Sequence, residues 1–221
     1  MATWITHLRI AENLLKVYDY DRMNFILGNI GPDSGLPNED RTRFVPSKKV
    51  THFQTDRSYS DHPYTKISSM KFYNEFVVKQ YSDKKKAYVL GYYAHLVTDV
   101  SWAMLQHQIR SSNDIYARNL EADPMFIWEV KKDWYGLDFK YIKENSESIY
   151  NEFAEYSNVE DHFDFFPKEA FTTQMKYIQA FYSRLENAPI YSGDYLSEEE
   201  MNLFVDNTSG YLIELFKNQN L

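Results

Sequence analysis

The 221-residue chain contains no cysteine. This absence excludes disulfides and thiolate metal ligands, so any metal ion here must be bound by histidine and carboxylate groups. No apolar run approaches the length of a membrane span, and the segment MATWITHLRI lacks the basic and apolar regions of a secretory signal. We therefore expect a soluble protein of the cytoplasm.

Positive charge is also scarce. The chain has 24 Lys and Arg residues against 32 Asp and Glu residues, which gives a formal net charge of -8 at pH 7. This balance argues against a nucleic-acid-binding surface that works by counterion release. It remains compatible with a small phosphate ester held at a cationic metal.

Glycine and proline are few, at 7 residues each, so little interrupts the chain. Good helix formers dominate, apolar residues recur at the helical period, and strand-like alternation is scarce. No internal repeat and no flexible linker is evident. The sequence therefore predicts a single all-α domain that covers residues 1–221.

Local signals predict where helices begin and end. Residues 29–63 show little periodicity and read as a long ordered loop, and a loop of that length in a compact domain is usually functional or disordered. The predicted helices run from a Thr3 cap to about Tyr18, through Phe25 to Gly28, over 64–81, over 84–109, from Asp123 towards Tyr156 with a potential break at Gly136, from near Pro167, and from a capping box at Ser197–Glu200.

The stretch YVLGYYAHLVTDVSWAML, residues 88–105, reads as a buried helix that carries His95 and Asp99. Residues four positions apart share one helical face, so these two side chains can reach the same ion. Gly91, one turn earlier, would then clear space above them. The alternative is a satisfied buried His–Asp pair, with Gly91 as a helix-packing contact.

Three further residues are candidates for the same site. Asp33 follows a helix end in the turn of FILGNIGPDSG, where a rigid backbone can aim a carboxylate inward. His52 lies in KKVTHF within the long loop, and His7 lies in WITHLRIA near the start of the first helix. Each has an ordinary explanation when taken alone: a turn aspartate, a half-buried loop histidine and a partly exposed first-turn histidine.

The order of these residues along the chain is more informative than any one of them. The segments WITHLRIAENLL, FILGNIGPDSG, THF and GYYAHLVTDVSW resemble, in sequence and in spacing, the motifs of the zinc-dependent phospholipase C family and its single-strand-specific nuclease relatives. The resemblance covers residues 4 to about 105 well, and the remainder through helical character and length. It implies an all-helical domain with a metal cluster at the bottom of a cleft.

The resemblance also implies which residues bind metal. One ion would be held by Asp33, His52, His95 and Asp99. A second ion would be held by His7 and by Asp99 acting as a bridge.

In the family, the free amine and carbonyl of the mature N-terminus complete the second site. Exported members expose an N-terminal tryptophan after signal cleavage, whereas Trp4 is internal here. If Met1 is removed, the Ala2 amine would stand five residues before His7, an offset similar to that of the nuclease branch. An α-amino group titrating near ~8 can serve as such a ligand.

A third ion in the family uses a histidine six residues after the helical aspartate and a later His-x-x-x-Glu or His-x-x-x-Asp. Leu105 stands at the first of these positions, and His107 and His162 are followed four residues on by Ser111 and Phe166. We therefore expect one or two ions in this chain, and not three.

A site of imidazoles and carboxylates suits Zn²⁺, and Mn²⁺ or Fe²⁺ would also be accepted. The predicted function is metal-dependent hydrolysis of a phosphoester, with a small soluble phosphodiester as the expected substrate and Asp33 as the base that orients the attacking water. The alternative is a non-catalytic helical binding protein that keeps the metal site for structure. In KKDWYGLDF, Asp133 and Asp138 either lie around the metal ligands or mark a helix break.

Overall fold

The structure is a computed structural model that describes residues 1–40, 42–153, 156, 162–184 and 188–221. Helices dominate these ranges, and the all-α prediction is confirmed. The helices are α1 (Trp4–Leu15), α2 (Arg22–Ile30), α3 (Lys48–Thr51), α4 (Ser69–Phe72), α5 (Asp83–Ser112), α6 (Asp114–Ala122), α7 (Ile127–Glu144), α8 (Ile149–Phe153), α9 (Ala170–Tyr182) and α10 (Glu198–Asn218).

Side-chain caps explain the starts of the first and last helices. The Thr3 hydroxyl accepts a hydrogen bond from the Thr6 backbone N–H at the start of α1. Ser197 and Glu200 form the predicted reciprocal capping box at the start of α10. Both arrangements satisfy backbone donors that a helix terminus leaves unpaired, and they depend only on neighbouring residues.

Residues 29–63 hold more structure than the predicted loop. The last turn of α2 extends past Gly28, and a 3₁₀ turn over Gly31–Asp33 follows it. Two short antiparallel strands, β1 (Leu36–Pro37) and β2 (Phe44–Val45), precede α3, and a second 3₁₀ turn covers Arg57–Tyr59. Gly28 does not mark the end of α2. It is a glycine because the backbone of α5 lies too close for a side chain at this position.

The helix predicted over 64–81 begins later and is shorter. The Asp61 carboxylate accepts a hydrogen bond of 2.6 Å from the Ser69 N–H, and the Ser68 side chain caps α4. A π-helical turn over Tyr73–Val77 follows directly. Helix α6 was not predicted; its start is capped by the Asn113 side chain, which accepts from Tyr116 N–H at 2.9 Å.

Helix α7 continues through Gly136, so the predicted break is wrong. A Cβ atom at Gly136 would lie 2.9 Å from Cβ of Tyr191, which indicates that the glycine allows close packing. The helical segment predicted to reach Tyr156 instead ends at Glu144 and resumes as α8. Residues 154 and 155 of that prediction lie outside the described residues.

Helix α5 lies at the centre of the molecule, because every residue from Ala87 to Asp99 is buried. Helix α2 packs along it, and aromatic side chains fill the adjacent core: Tyr88 and Tyr92 on α5 contact the ring of Phe163. Helix α5 thus carries the His95–Asp99 face into the interior. Among the described residues, we found no helix with both the length and the apolar character that crossing a bilayer requires.

Candidate metal centre

Four separate segments bring polar side chains to one place inside this fold. His7 comes from α1, Asp33 from the 3₁₀ turn after α2, His52 from the end of α3, and His95 and Asp99 from α5. Asp33 is 8 % exposed and the other four are at most 1 % exposed. The structure therefore brings together all five side chains that the sequence singled out.

Two glycines allow the backbones of α2 and α5 to come very close. A Cβ atom at Gly91 would lie 2.1 Å from the Phe25 carbonyl oxygen, and one at Gly28 would lie 1.9 Å from the Tyr88 carbonyl oxygen. Neither position can hold a larger residue without moving backbone. Gly91 thus serves helix packing, which was the alternative interpretation. It does not clear space for a ligand.

This close approach orients His95. Its Nδ1 atom lies 2.7 Å from the Asn29 backbone oxygen on α2. Because a carbonyl oxygen can only accept, Nδ1 carries the proton, and in the neutral ring Nε2 then presents a lone pair. His52 is oriented in a similar way, with Nδ1 2.9 Å from the Thr51 hydroxyl. Such contacts behind an imidazole are typical of metal-ligating histidines.

Asp99 lies at the middle of the cluster and faces a histidine with each oxygen. Its Oδ1 atom is 3.4 Å from Nε2 of His7, and its Oδ2 atom is 3.5 Å from Nε2 of both His52 and His95. Oδ1 also accepts a hydrogen bond of 2.8 Å from the Ala2 backbone N–H. The carboxylate is thus placed where it could bridge two ions.

The buried atoms around Asp99 lack hydrogen-bond partners among the described residues. They are Oδ2 of Asp99 and the Nε2 atoms of His7, His52 and His95. A satisfied His95–Asp99 pair is therefore not what the structure shows. Nε2 of His95 and Oδ2 of Asp99 are two acceptors that face one another at 3.5 Å, which is unfavourable in a buried site, and a cation would compensate them.

The ionisation of these groups points the same way. Burial, followed by the nearby His95, lowers the pKa of His7 to about 4, and burial lowers the pKa of His52 to about 3. Burial acts to raise the pKa of Asp33, but Lys48 and the nearby histidines outweigh it and hold that pKa below its usual value. At neutral pH His7 and His52 are thus neutral and Asp33 is ionised, which is the state that metal binding requires of these ligands.

Within the described residues the donor atoms form two overlapping groups. In each group, the atoms that could bind an ion lie within 4.8 Å of one another. One group is His7, His95 and Asp99, and the other is Asp33, His52 and His95. The second group coincides with three of the four ligands expected for the first ion, and the first group contains both side chains expected for the second ion.

The surroundings of Asp33 include residues that the sequence interpretation missed. Trp4 donates its indole N–H to Oδ2 of Asp33 at 3.0 Å, and the Lys48 ammonium lies 3.1 Å from Oδ1. Lys131 on α7 lines the same cavity as Lys48, and burial followed by the Lys48 charge lowers the pKa of Lys131. The only local signal was the position of Lys48 four residues before His52 in KKVTHF.

These residues open onto a cavity of about 300 Å³, which we call the metal-side cavity. The side chains that give it polar character are Asp33, Lys48 and Lys131, and its other walls include Trp4 and Tyr135. A phosphate-sized group in this cavity would meet two ammonium groups next to the buried cluster. Of the five clustered residues, Asp33 is the one that lines this cavity.

Asp133 and Asp138 hold structure in place and do not contact the cluster. Asp133 accepts backbone hydrogen bonds from the segment before α10, including those of Ser192 at 2.9 Å and Tyr195 at 2.8 Å. Asp138 accepts from the Thr3 hydroxyl at 2.7 Å and from the Tyr182 hydroxyl at 2.5 Å. Asp138 therefore anchors the N-terminal segment whose Ala2 N–H reaches Asp99.

The two later histidines lie elsewhere. His107 stacks on Tyr64 with ring centroids 3.5 Å apart, and Nε2 of His162 lies 2.8 Å from the side-chain oxygen of Asn24. Leu105 is only partly buried on α5. Neither histidine belongs to the two donor groups around Asp99.

Comparison with known protein families agrees with this geometry. A family model described as zinc dependent phospholipase C matches residues 6–214. The match includes all five clustered residues and extends well beyond the motif region that ends near residue 105. No match was found among curated proteins or among solved structures.

Proposed function

Since this chain belongs to the zinc-dependent phospholipase C family, we propose that it is a zinc-dependent hydrolase of phosphoester bonds. The observation that supports this most directly is the set of unpaired acceptor atoms around Asp99, with Nε2 of His52 and of His95 each 3.5 Å from Oδ2. Burying these groups without a cation would be costly. Imidazole and carboxylate donors without thiolates suit zinc, and would also accept manganese or iron.

Our proposed ligands for the first ion are Asp33, His52, His95 and Asp99. For a second ion we propose His7, with Asp99 as the shared carboxylate. When bound, zinc in such a donor set lowers the pKa of a coordinated water to about 7 and polarises a phosphoryl oxygen.

The protein groups around the cluster have separate tasks in this proposal. Asp33 is ionised, because its pKa is held low, and its carboxylate accepts a hydrogen bond from the attacking water and orients it. Lys48 and Lys131 bind the charge of the phosphoryl group in the metal-side cavity. Trp4 donates to Asp33 and so fixes the direction of its carboxylate.

We further propose a small phosphodiester as the substrate. The metal-side cavity of about 300 Å³ is at the small end of ligand sites, which favours a compact substrate over a long polymer. The ionised Asp33 offsets one of the two lysines in the wall, so the cavity matches the single negative charge of a phosphodiester better than the higher charge of a monoester.

The test is hydrolysis of bis(p-nitrophenyl) phosphate and p-nitrophenyl phosphate by zinc-loaded protein. We expect the diester to be preferred, and we expect His95→Ala and Asp99→Asn to lose at least about a hundredfold in kcat/KM. His62→Ala is the matched control, because His62 lies outside both donor groups. If zinc binds but neither substrate is hydrolysed, the protein is a non-catalytic metal-binding protein and the proposal is wrong.

A further inference from the structure

A second cavity lies beside the metal-side cavity. Its volume is about 320 Å³, and residues of α5, α6 and α7 form most of its wall. The two cavities share Met1, Ile127 and Trp134 as wall residues. A ligand that occupies one cavity is therefore close to the other.

The charge of this second cavity is unusual for an acidic protein. Arg57 and Arg110 both line it, and its wall contains no carboxylate residue. Among the described residues, neither guanidinium forms a salt bridge. Both side chains are exposed to solvent, and two guanidinium groups in a cavity wall without a carboxylate favour an anionic ligand.

Neutral polar groups in the same wall are unpaired as well. Both amide atoms of Gln106 and the indole N–H groups of Trp102 and Trp134 are buried without a hydrogen-bond partner among the described residues. Most buried polar groups in proteins are paired, so a cluster of exceptions needs an explanation. Three N–H donor groups, one amide and two indoles, lie beside two guanidinium groups and match a ligand rich in acceptor oxygens.

We infer that this second cavity, which we call the arginine pocket, binds a second anionic group of the substrate. The group is a phosphoryl or carboxylate, bound by Arg57 and Arg110, while the scissile phosphoester occupies the metal-side cavity. The inference rests on the proposed function, and it narrows the substrate class to phosphoesters that carry another anion at a distance.

Binding of non-hydrolysable ligands tests this without requiring turnover. Calorimetry on zinc-loaded protein would compare a series of α,ω-alkane bisphosphonates of increasing length with alkyl monophosphonates of the same lengths. One length should bind roughly tenfold or more tightly than its monophosphonate, because a charge-assisted hydrogen-bonded pair contributes that much. An ω-phosphonocarboxylate series distinguishes a phosphoryl from a carboxylate in the arginine pocket.

The double variant Arg57→Gln and Arg110→Gln should remove this advantage and leave monophosphonate affinity unchanged. Arg118→Gln is the matched control, because Arg118 is an exposed arginine on α6 and does not line the cavity. Equal affinity of all bisphosphonates and monophosphonates for the wild-type protein would overturn the inference. So would an equal loss for both ligand classes in the arginine variant.

Asp99→Asn separates a failure of the inference from a failure of the proposed function. If it weakens both ligand classes while the arginine variant weakens neither, the metal centre binds phosphonates and the arginine pocket is wrong. If the arginine variant weakens only the bisphosphonate while Asp99→Asn changes neither, the arginine pocket stands and the metal-dependent function is wrong.

Discussion

The imidazole rings of His7 and His95 stack with centroids 3.7 Å apart and planes within 3° of parallel. The two rings come from α1 and α5, and their Nε2 atoms face different oxygens of Asp99, at 3.4 Å and 3.5 Å. Two stacked cations would repel, and this repulsion contributes to the lowered pKa of His7. Two imidazoles that face different oxygens of one carboxylate are the arrangement that two ions bridged by Asp99 would need.

Removal of metal should destabilise the protein. If a cation compensates Asp99, chelation leaves buried negative charge unpaired and lowers the melting temperature. Zinc at a hundredfold its Kd should stabilise the fold by about 2.7 kcal/mol. Differential scanning calorimetry with and without a chelator measures the effect.

Asp99→Asn should abolish this dependence on metal, since it removes the shared negative charge. Equal melting temperatures of the wild-type protein with and without chelator would instead indicate a cluster that is stable without a cation.

Gly91→Ala should destabilise the fold and disturb the metal centre. The new Cβ would lie 2.1 Å from the Phe25 carbonyl oxygen, so α2 and α5 must separate. Overpacking of this kind costs about 1–3 kcal/mol. Separation should also lengthen the Asn29–His95 hydrogen bond and weaken zinc binding, as measured by urea denaturation and by competition with a metal indicator.

Gly210→Ala is the matched control for this substitution. Gly210 lies inside α10, and no atom lies within 4 Å of an added Cβ. We expect this variant to be about 0.5–1 kcal/mol more stable than the wild type, because alanine is the better helix former. A Gly91→Ala variant as stable as wild type would show that the two helices do not need their close approach.

Stability should depend on pH through Asp138. Burial raises the pKa of this carboxyl from its ordinary value of 3.8 to about 7. Between these values the folded protein keeps a proton that the unfolded chain has lost. The contribution of Asp138 is thus fully present below pH 3.8 and is lost as pH rises through about 7, a change on the order of 4 kcal/mol.

Denaturant unfolding of the wild type and of Asp138→Asn across this pH range checks the prediction. The difference in unfolding free energy between the two proteins should change with pH, because only the wild type titrates at this position. A constant difference from pH 4 to pH 8 would mean that Asp138 titrates normally.

An N-terminal extension should weaken the second ion selectively. The Ala2 nitrogen lies 2.8 Å from Oδ1 of Asp99, beside His7, so a free amine there could join the second site. Metal analysis of a chain that begins at Ala2 should find one or two ions, and the same chain with an added tag should keep the first ion and lose affinity for the second. Three ions in either form, or none in both, would contradict the ligand assignment.

Local sequence was sufficient for part of this molecule. The caps at Thr3 and Ser197 involve residues within three positions, so their geometry follows from the helix itself. The pairing of His95 with Asp99 follows from the helical repeat in the same way. The ordered motifs then predicted that Asp33 and His52 would join the pair, because they resembled a family in which those positions converge.

Only the tertiary structure decided the rest, because it depends on contacts between residues that are distant in the chain. A glycine is required at position 91 because the backbone of Phe25, on another helix and 66 residues earlier in the chain, lies too close for a side chain. No local signal specifies that contact. The Lys48–Asp33 contact, and the cavity whose wall includes both Arg57 and Arg110, likewise arise only when separate segments pack together. Helical periodicity specifies which face of a helix is apolar, whereas the partner of that face is selected by packing of the whole core.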